Sequence, residues 1–331
     1  MKVQEDFCLS RPAKALSLGL VALVGFFFTN ARTYADNIFV ANTNNTIDEF
    51  SSSGTETTFA STGLDDPTGL AFDSHGNLYV SNAGSNTIEK FGTNGVGTVF
   101  ASGLSTPVGL AFDSSGNLYV ANFYDDTIEK FGTNGVGTVF ASGLGVPDGL
   151  AFDSSGNLYV ANYYDDVIDK FNSSGNMTIF ASGLGAPTGL AFDSSGNLYV
   201  ANLADNTIEE FGTNGVGTVF ASSGLSHPYG LAFDSSGNLY VANLGNNTIE
   251  EFNTNRVGTV FASSGLDSPS FIAIQVPEPS TWAMLAMGIG AVLGGLRLNR
   301  RSTSRNGNAI KTGLGKRAGL SFGHERRRIC C

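Results

Sequence analysis

One unit, repeated five times almost without change, limits what this chain can fold into more than any other feature. From Pro67 it reads PTGLAFDSHGNLYVSNAGSNTIEKFGTNGVGTVFASGL, and the pattern restarts at Pro107, Pro147, Pro187 and Pro228, with a truncated copy from Pro269. The steps are 40, 40, 40, 41 and 41 residues, the longer ones arising from one extra serine at Ser222-Ser223 and again at Ser263-Ser264. A period of this size describes a modular array, in which each unit buries its apolar surface only against its neighbours.

Four β-prone runs stand in each unit. In the copy beginning at Pro107 they are 109–113 (GLAFD), 117–122 (NLYVAN), 127–131 (TIEKF) and 137–141 (GTVFA). Ser114-Ser115-Gly116 and Gly132-Thr133-Asn134-Gly135 separate them, turns whose Gly and Asn tolerate positive φ. The first two runs are apolar on both faces, as inner strands packed between sheets must be, whereas the third carries Glu129 and Lys130 and belongs nearer the rim. Four short strands per forty residues predict a propeller blade.

The two ends of the array supply the blade count. Before Pro67 stand three strand-like runs, 37–42, 46–50 and 57–60, with no GLAFD ahead of them. After Pro269 stands a single run, 271–275 (FIAIQ), where GLAFD belongs. Three plus one make a sixth blade with the C-terminal strand innermost. That closure removes two free sheet edges, which would otherwise invite aggregation. The expectation is an all-β, six-bladed propeller over 36–276.

The unit P-x-G-L-A-F-D-x-x-G-N-L-Y-V-A-N-x-x-x-[DN]-x-I-x-x-F resembles the NHL repeat and is similar to repeats of the gluconolactonase-like and streptogramin-lyase-like six-bladed propellers, over 37–275. The resemblance implies the fold and leaves the activity open, because this fold serves enzymes and passive binders alike.

Outside the array the chain reads as targeting sequence. Lys2, Arg11 and Lys14 precede an apolar run at 15–28, and Thr33-Tyr34-Ala35 offers small residues at −3 and −1, so residues 1–35 are expected to be a signal peptide cleaved after Ala35. Cys8 precedes the apolar run, unlike a lipoprotein cysteine, and the array itself contains no cysteine; Cys330 and Cys331 stand at the far end. Pro277, Glu278 and Pro279 lead into a second apolar run, 282–296, flanked by Arg297, Arg300 and Arg301. This order, over 277–301, resembles the PEP-CTERM sorting signal of exopolysaccharide-producing Gram-negative bacteria. The resemblance implies transient anchoring in the inner membrane, cutting by an exosortase-like enzyme at the stiff Pro-Glu-Pro segment, and release to the cell surface or matrix. The arginines would stay cytoplasmic. A basic, Gly-rich tail, 302–331, continues beyond the point where such signals end and is expected to be disordered.

Charge narrows the partner. The array holds 25 acidic residues and four basic ones, Lys90, Lys130, Lys170 and Arg256. Nucleic acid and anionic lipid both need a basic footprint, so neither fits; cations and neutral sugars do.

The repeats also serve as their own comparison. The turns after the first strand and after the third are nearly fixed. Variation gathers before each first strand (65–68, 105–108, 145–148, 185–188, 226–229) and between the second and third strands (83–86, 123–126, 163–166, 203–206, 244–247). In a four-stranded meander these two connections open on one face, which is therefore the candidate ligand-binding face. It carries Phe123, Tyr124, Asp125, Asp126 and Tyr163, Tyr164, Asp165, Asp166 on adjacent blades, with Asp148, His227 and Tyr229. Aromatic planes beside carboxylates suit sugars, whose ring faces stack and whose hydroxyls donate; the same aromatics would also cover blade seams, and the same aspartates would start turns. The leading expectation is an extracellular binding or matrix protein for exopolysaccharide. The alternatives are a metal-dependent lactonase or lyase and a protein-interaction scaffold. Calcium on the Asp pairs is a further expectation, although no spaced D-x-D-x-D-G loop is present. Gluconolactonase-like propellers, by that resemblance, hold a metal in the channel with unlike acidic and amide groups. Here Asp73, Asp113, Asp153, Asp193 and Asp234 recur at one position beside the fixed turn, as a structural cap would, and His75 is an isolated surface residue.

Overall fold

A computed structural model describes residues 36–275. The expected signal peptide (1–35), sorting segment (277–301, with Pro277, Glu278 and Pro279) and tail (302–331) lie outside the described residues. Six four-stranded antiparallel sheets form the blades of a propeller. Blade I joins Asn37–Asn42, Thr46–Phe50 and Glu56–Ala60 to the closing strand Ile272–Gln275. Blades II to VI span 67–102, 107–142, 147–182, 187–221 and 228–262. The closing strand pairs with the first strand, Asn37 opposite Gln275 and Val40 opposite Ile272, as the half-repeats require. Among the described residues no helix is long and apolar enough to cross a membrane.

One boundary differs from expectation in every full repeat. The innermost strands begin at the proline, as in Pro147–Phe152, rather than at the glycine two residues on. Pro147 already pairs with Asn162, and the register shifts before Leu150 pairs with Val160. A proline tolerates this place because it starts the strand, where no ladder donor is missed. The consequence is that Asp148 and Tyr229 belong to strands, not to loops.

Packing between blades follows from the second strand. Leu118, Tyr119, Val120 and Ala121 are all buried, because both faces of the sheet are covered by neighbours. In blades II to V the tyrosine of this strand bridges two blades edge to face. Tyr79 meets Phe100 of its own blade and Phe112 of the next, both with ring centroids 5.0 Å apart, and Tyr119, Tyr159 and Tyr199 repeat the contact. Each such pair adds about 0.5–1.5 kcal/mol beyond the area it buries. In blade I, Phe39 takes the role with Phe59 and Phe72.

The inner strands approach backbone to backbone. A Cβ on Gly109 would collide with the Asp148 carbonyl oxygen of the next blade, and Gly69, Gly149, Gly189 and Gly230 face Val108, Thr188, Tyr229 and Ser270 in the same way. Side chains one residue before these glycines are thereby crowded around the axis.

A second ring of contacts staples the blades. Asn45, Asn86, Asp126, Asp166, Asn206 and Asn247 all hold φ between 53° and 65°, a left-handed conformation that Asn and Asp adopt most readily among residues with a side chain. Each side-chain Oδ1 accepts the backbone N–H that opens the following blade: Asp66, Thr106, Val146, Ala186, His227 and Ser268, at 2.7–3.1 Å.

Candidate functional site

The two variable segments of each repeat do share a face, and backbone hydrogen bonds tie them together. Tyr163 N–H donates to Val146 O and Tyr164 N–H to Gly145 O; Phe123 N–H donates to Thr106 O, and Leu244 N–H to His227 O. On blades III and IV this pairing props aromatic rings outward. Tyr124 is 73% exposed and Tyr164 78%. Phe123 lies 5.4 Å from the Tyr124 ring and 6.2 Å from the Tyr163 ring. Tyr124, Phe123 and Tyr163 thus form a continuous strip across a blade seam. Phe123 and Tyr163 are half-buried, and Phe123 packs on the core cluster beneath.

The aspartates divide by role. Asp125 and Asp165 are exposed, and the Asp165 carboxyl folds over Gly145. Asp126 and Asp166 give one oxygen each to the inter-blade staple. Among the described residues no group of three or more His, Cys, Asp and Glu side chains is placed to hold a metal ion. His227 also serves the staple through its backbone, while its ring is exposed beside Gly245.

Asp148 and Tyr229 are placed differently from the expectation that they belong to the exposed face. Asp148 is completely buried. Tyr229 reaches over from blade VI and its hydroxyl donates to Asp148 Oδ2 at 2.6 Å, while Oδ1 has no partner. Burial pushes the Asp148 carboxyl up to about 7, against the Tyr229 hydrogen bond, which pulls it down. The Tyr229 hydroxyl is raised well above its ordinary range by burial, then by the Asp148 charge. The same ring of positions contributes Thr68, Val108, Thr188 and Ser270, residues that were not singled out from the sequence. Their signal was the variable x of P-x-G-L. Thr68 Oγ1 donates to Pro107 O, Thr188 Oγ1 to Tyr229 O, and Ser270 Oγ to Thr68 O, so the ring is knitted shut by its own polar groups. One carboxylate, one phenol, three hydroxyls and a valine are unlike groups, but they are not the several acidic and amide donors of a catalytic divalent metal, and this set does not fit one.

On the opposite face the recurrent aspartates are caps. Asp113 Oδ1 accepts the N–H groups of Ser115 and Asn117, and Oδ2 accepts Asn117 Nδ2; Asp73, Asp153, Asp193 and Asp234 repeat the set. Burial raises Asp73, Asp113 and Asp153, but these bonds and a lysine charge outweigh it and hold all three below the usual carboxylate range. His75 is exposed in such a turn.

Residues 275–301 match the PEP-CTERM protein-sorting motif. The chain carries a PEP-CTERM sorting signal. No curated protein matches the chain as a relative. Among solved structures, this chain is similar to one chain of a nidogen–laminin complex at 23% identity and TM-score 0.66, covering 72% of this chain and 98% of that one. Virginiamycin B lyase from Staphylococcus aureus aligns at 17% identity and TM-score 0.57, covering 73% and 89%. A structure described as a candidate gluconolactonase aligns at 18% and 0.54, covering 63% and 81%. At these identities the likeness establishes the fold and nothing about the chemistry of this chain. The motif implies export with membrane-anchored sorting in Gram-negative bacteria, and recognition by an exosortase-type processing enzyme.

Proposed function

We propose that the exported propeller is a non-catalytic binding or matrix component that holds a neutral exopolysaccharide on the face of the variable connections. The observation that carries this reading is the pair Tyr124 and Tyr164, standing 73% and 78% exposed at equivalent positions of adjacent blades. Large exposed aromatics are costly to leave in water, and their planes are suited to the apolar faces of sugar rings. Asp125 and Asp165, exposed beside them, accept hydroxyl protons. Neutral polymer is favoured over anionic polymer because all four basic residues of the propeller are engaged in internal ion pairs.

The test titrates the full chain, in mild detergent, with soluble neutral and acidic bacterial polysaccharides. The expected result is saturable binding of a neutral polymer, weakened at least about fivefold in Tyr124→Ala/Tyr164→Ala, since two lost stacking contacts amount to roughly 1–3 kcal/mol. Binding unchanged in the double variant would remove the site from this face. Binding of the acidic polymer alone would defeat the charge argument.

A further inference from the structure

The face of the fixed turns shows three times how this fold holds an ammonium group. Lys90 Nζ stands 5.0 Å from the centre of the Tyr79 ring and 3.4 Å from Asp73 Oδ2. Lys130 repeats this with Tyr119 and Asp113 at 5.0 and 3.4 Å, and Lys170 with Tyr159 and Asp153 at 4.9 and 3.8 Å. A capping carboxylate and an aromatic face together make the seat, combining an ion pair with a cation–π contact.

Blade V keeps the seat and lacks its lysine. Asp193 and Tyr199 occupy the equivalent positions, but the third-strand residue is Glu210. The following blade departs as well. Arg256 takes the turn position held by Gly95, Gly135 and Gly215 in other blades, where a Cβ would press on the Phe59, Phe100 or Phe180 carbonyl oxygen of the preceding blade. Arg256 sits at φ 63°, its guanidinium 2.6 Å from Glu210 Oε2 and 5.1 Å from the Phe220 ring centre. It therefore neutralises Glu210 and leaves Asp193 without a cation. Asp234, whose own blade has Glu251 at the lysine position, has none either.

Between these residues the seam of blades V and VI opens into a cavity of about 370 Å³. Tyr199, Phe220, Phe233 and Phe252 wall it, with Asp193 and Asp234 at its polar edge and Arg256, paired with Glu210, also lining it.

We propose that this cavity is a second binding site, on the face opposite the tyrosine strip, for a small ligand presenting a primary ammonium group on a sugar or aliphatic body. The ammonium takes the place that Lys90, Lys130 and Lys170 fill in their own blades, over the Tyr199 ring and against Asp193, and the body of the ligand covers the aromatic wall. The excess of acidic over basic residues in the propeller draws cationic ligands toward the site from a distance.

Ligand-observed NMR titrations of the full chain in mild detergent test this, with glucosamine and Nα-acetyl-lysine methylamide as probes. Each is paired with its N-acetylated counterpart, N-acetylglucosamine and Nα,Nε-diacetyl-lysine methylamide. At least one amine is expected to saturate the protein and its acetylated partner to bind at least about fivefold more weakly; which amine binds distinguishes a sugar source from a peptide source. Glu210→Lys restores the internal occupant and is expected to reduce amine binding by a similar factor with an unchanged circular dichroism spectrum. Asp193→Asn, which retains an oxygen for the turn, is expected to do the same and stands in if Glu210→Lys misfolds. Tyr124→Ala/Tyr164→Ala leaves amine binding intact. The proposal is overturned if neither amine saturates, if acetylation makes no difference, or if the folded variants bind as the parent does.

Discussion

The Tyr229 hydroxyl reaches from blade VI past blade V to blade IV and donates to Asp148 Oδ2 at 2.6 Å, leaving Asp148 Oδ1 buried without a donor. A carboxyl so placed resists ionisation, and its pKa of about 7 stands well above the 3.8 of a free aspartate. A raised acid favours the fold in its protonated form. Its contribution is complete below the unfolded value, is lost progressively as pH rises from there to about 7, and is gone above it. Thermal melts across about pH 4 to 7 should therefore show stability falling with rising pH, and Asp148→Asn should flatten that slope. Tyr229→Phe removes the donor that lowers the pKa, so its step should shift to higher pH. A parent profile that is flat over this range would contradict the assignment.

Gly109 leaves no room for a side chain. Its Cβ would strike the Asp148 carbonyl of the neighbouring blade, a backbone atom that moves only if the blade moves. Gly109→Ala is expected to lose about 1–3 kcal/mol, the usual range for overpacking. Gly103 is the control. It has positive φ but nothing within 4 Å of a Cβ, so Gly103→Ala should lose only about 1 kcal/mol, from backbone conformation alone. Equal losses in denaturant titrations would show that the inner strands have slack.

The staple ring should respond to loss of a single member. Asn86 both accepts the Thr106 N–H at 2.7 Å and holds φ 59°. Asn86→Ala removes the acceptor and disfavours the conformation, for a combined loss of about 1–3 kcal/mol. Asn86→Asp should retain most of the stability, because Asp126 and Asp166 perform the same role in blades III and IV.

Ending the chain at Ser268 removes the strand Ile272–Gln275 and bares the edge of Asn37–Asn42, which is otherwise almost wholly buried. Such an edge pairs with other chains. Size-exclusion chromatography should find aggregate and no monodisperse species with a cooperative melt. A well-behaved monomer would mean that blade I is dispensable.

The sequence made the architecture legible because the repeats did the aligning: identical runs marked the strands, and complementary half-repeats marked the closure. It was less informative about the axis. Asp148 looked like a loop residue because the strand was expected to begin at Gly149, and only the early start at Pro147 turns that side chain inward. Asp126 and Asp166 looked individual beside their tyrosines. The Asn or Asp present at this position in all six copies was the sign of a shared structural duty, visible without coordinates. The exchange of Lys for Glu210 and of Gly for Arg256 was also visible, but neither position points at the other until the blades are set side by side.

Blade I is assembled from residues separated by the whole length of the propeller. No ring can therefore exist until residue 275 has been delivered, however early the other blades take shape. Such distant pairing closes slowly, so until the last strand arrives to pair with the first the array stays open and unlocked.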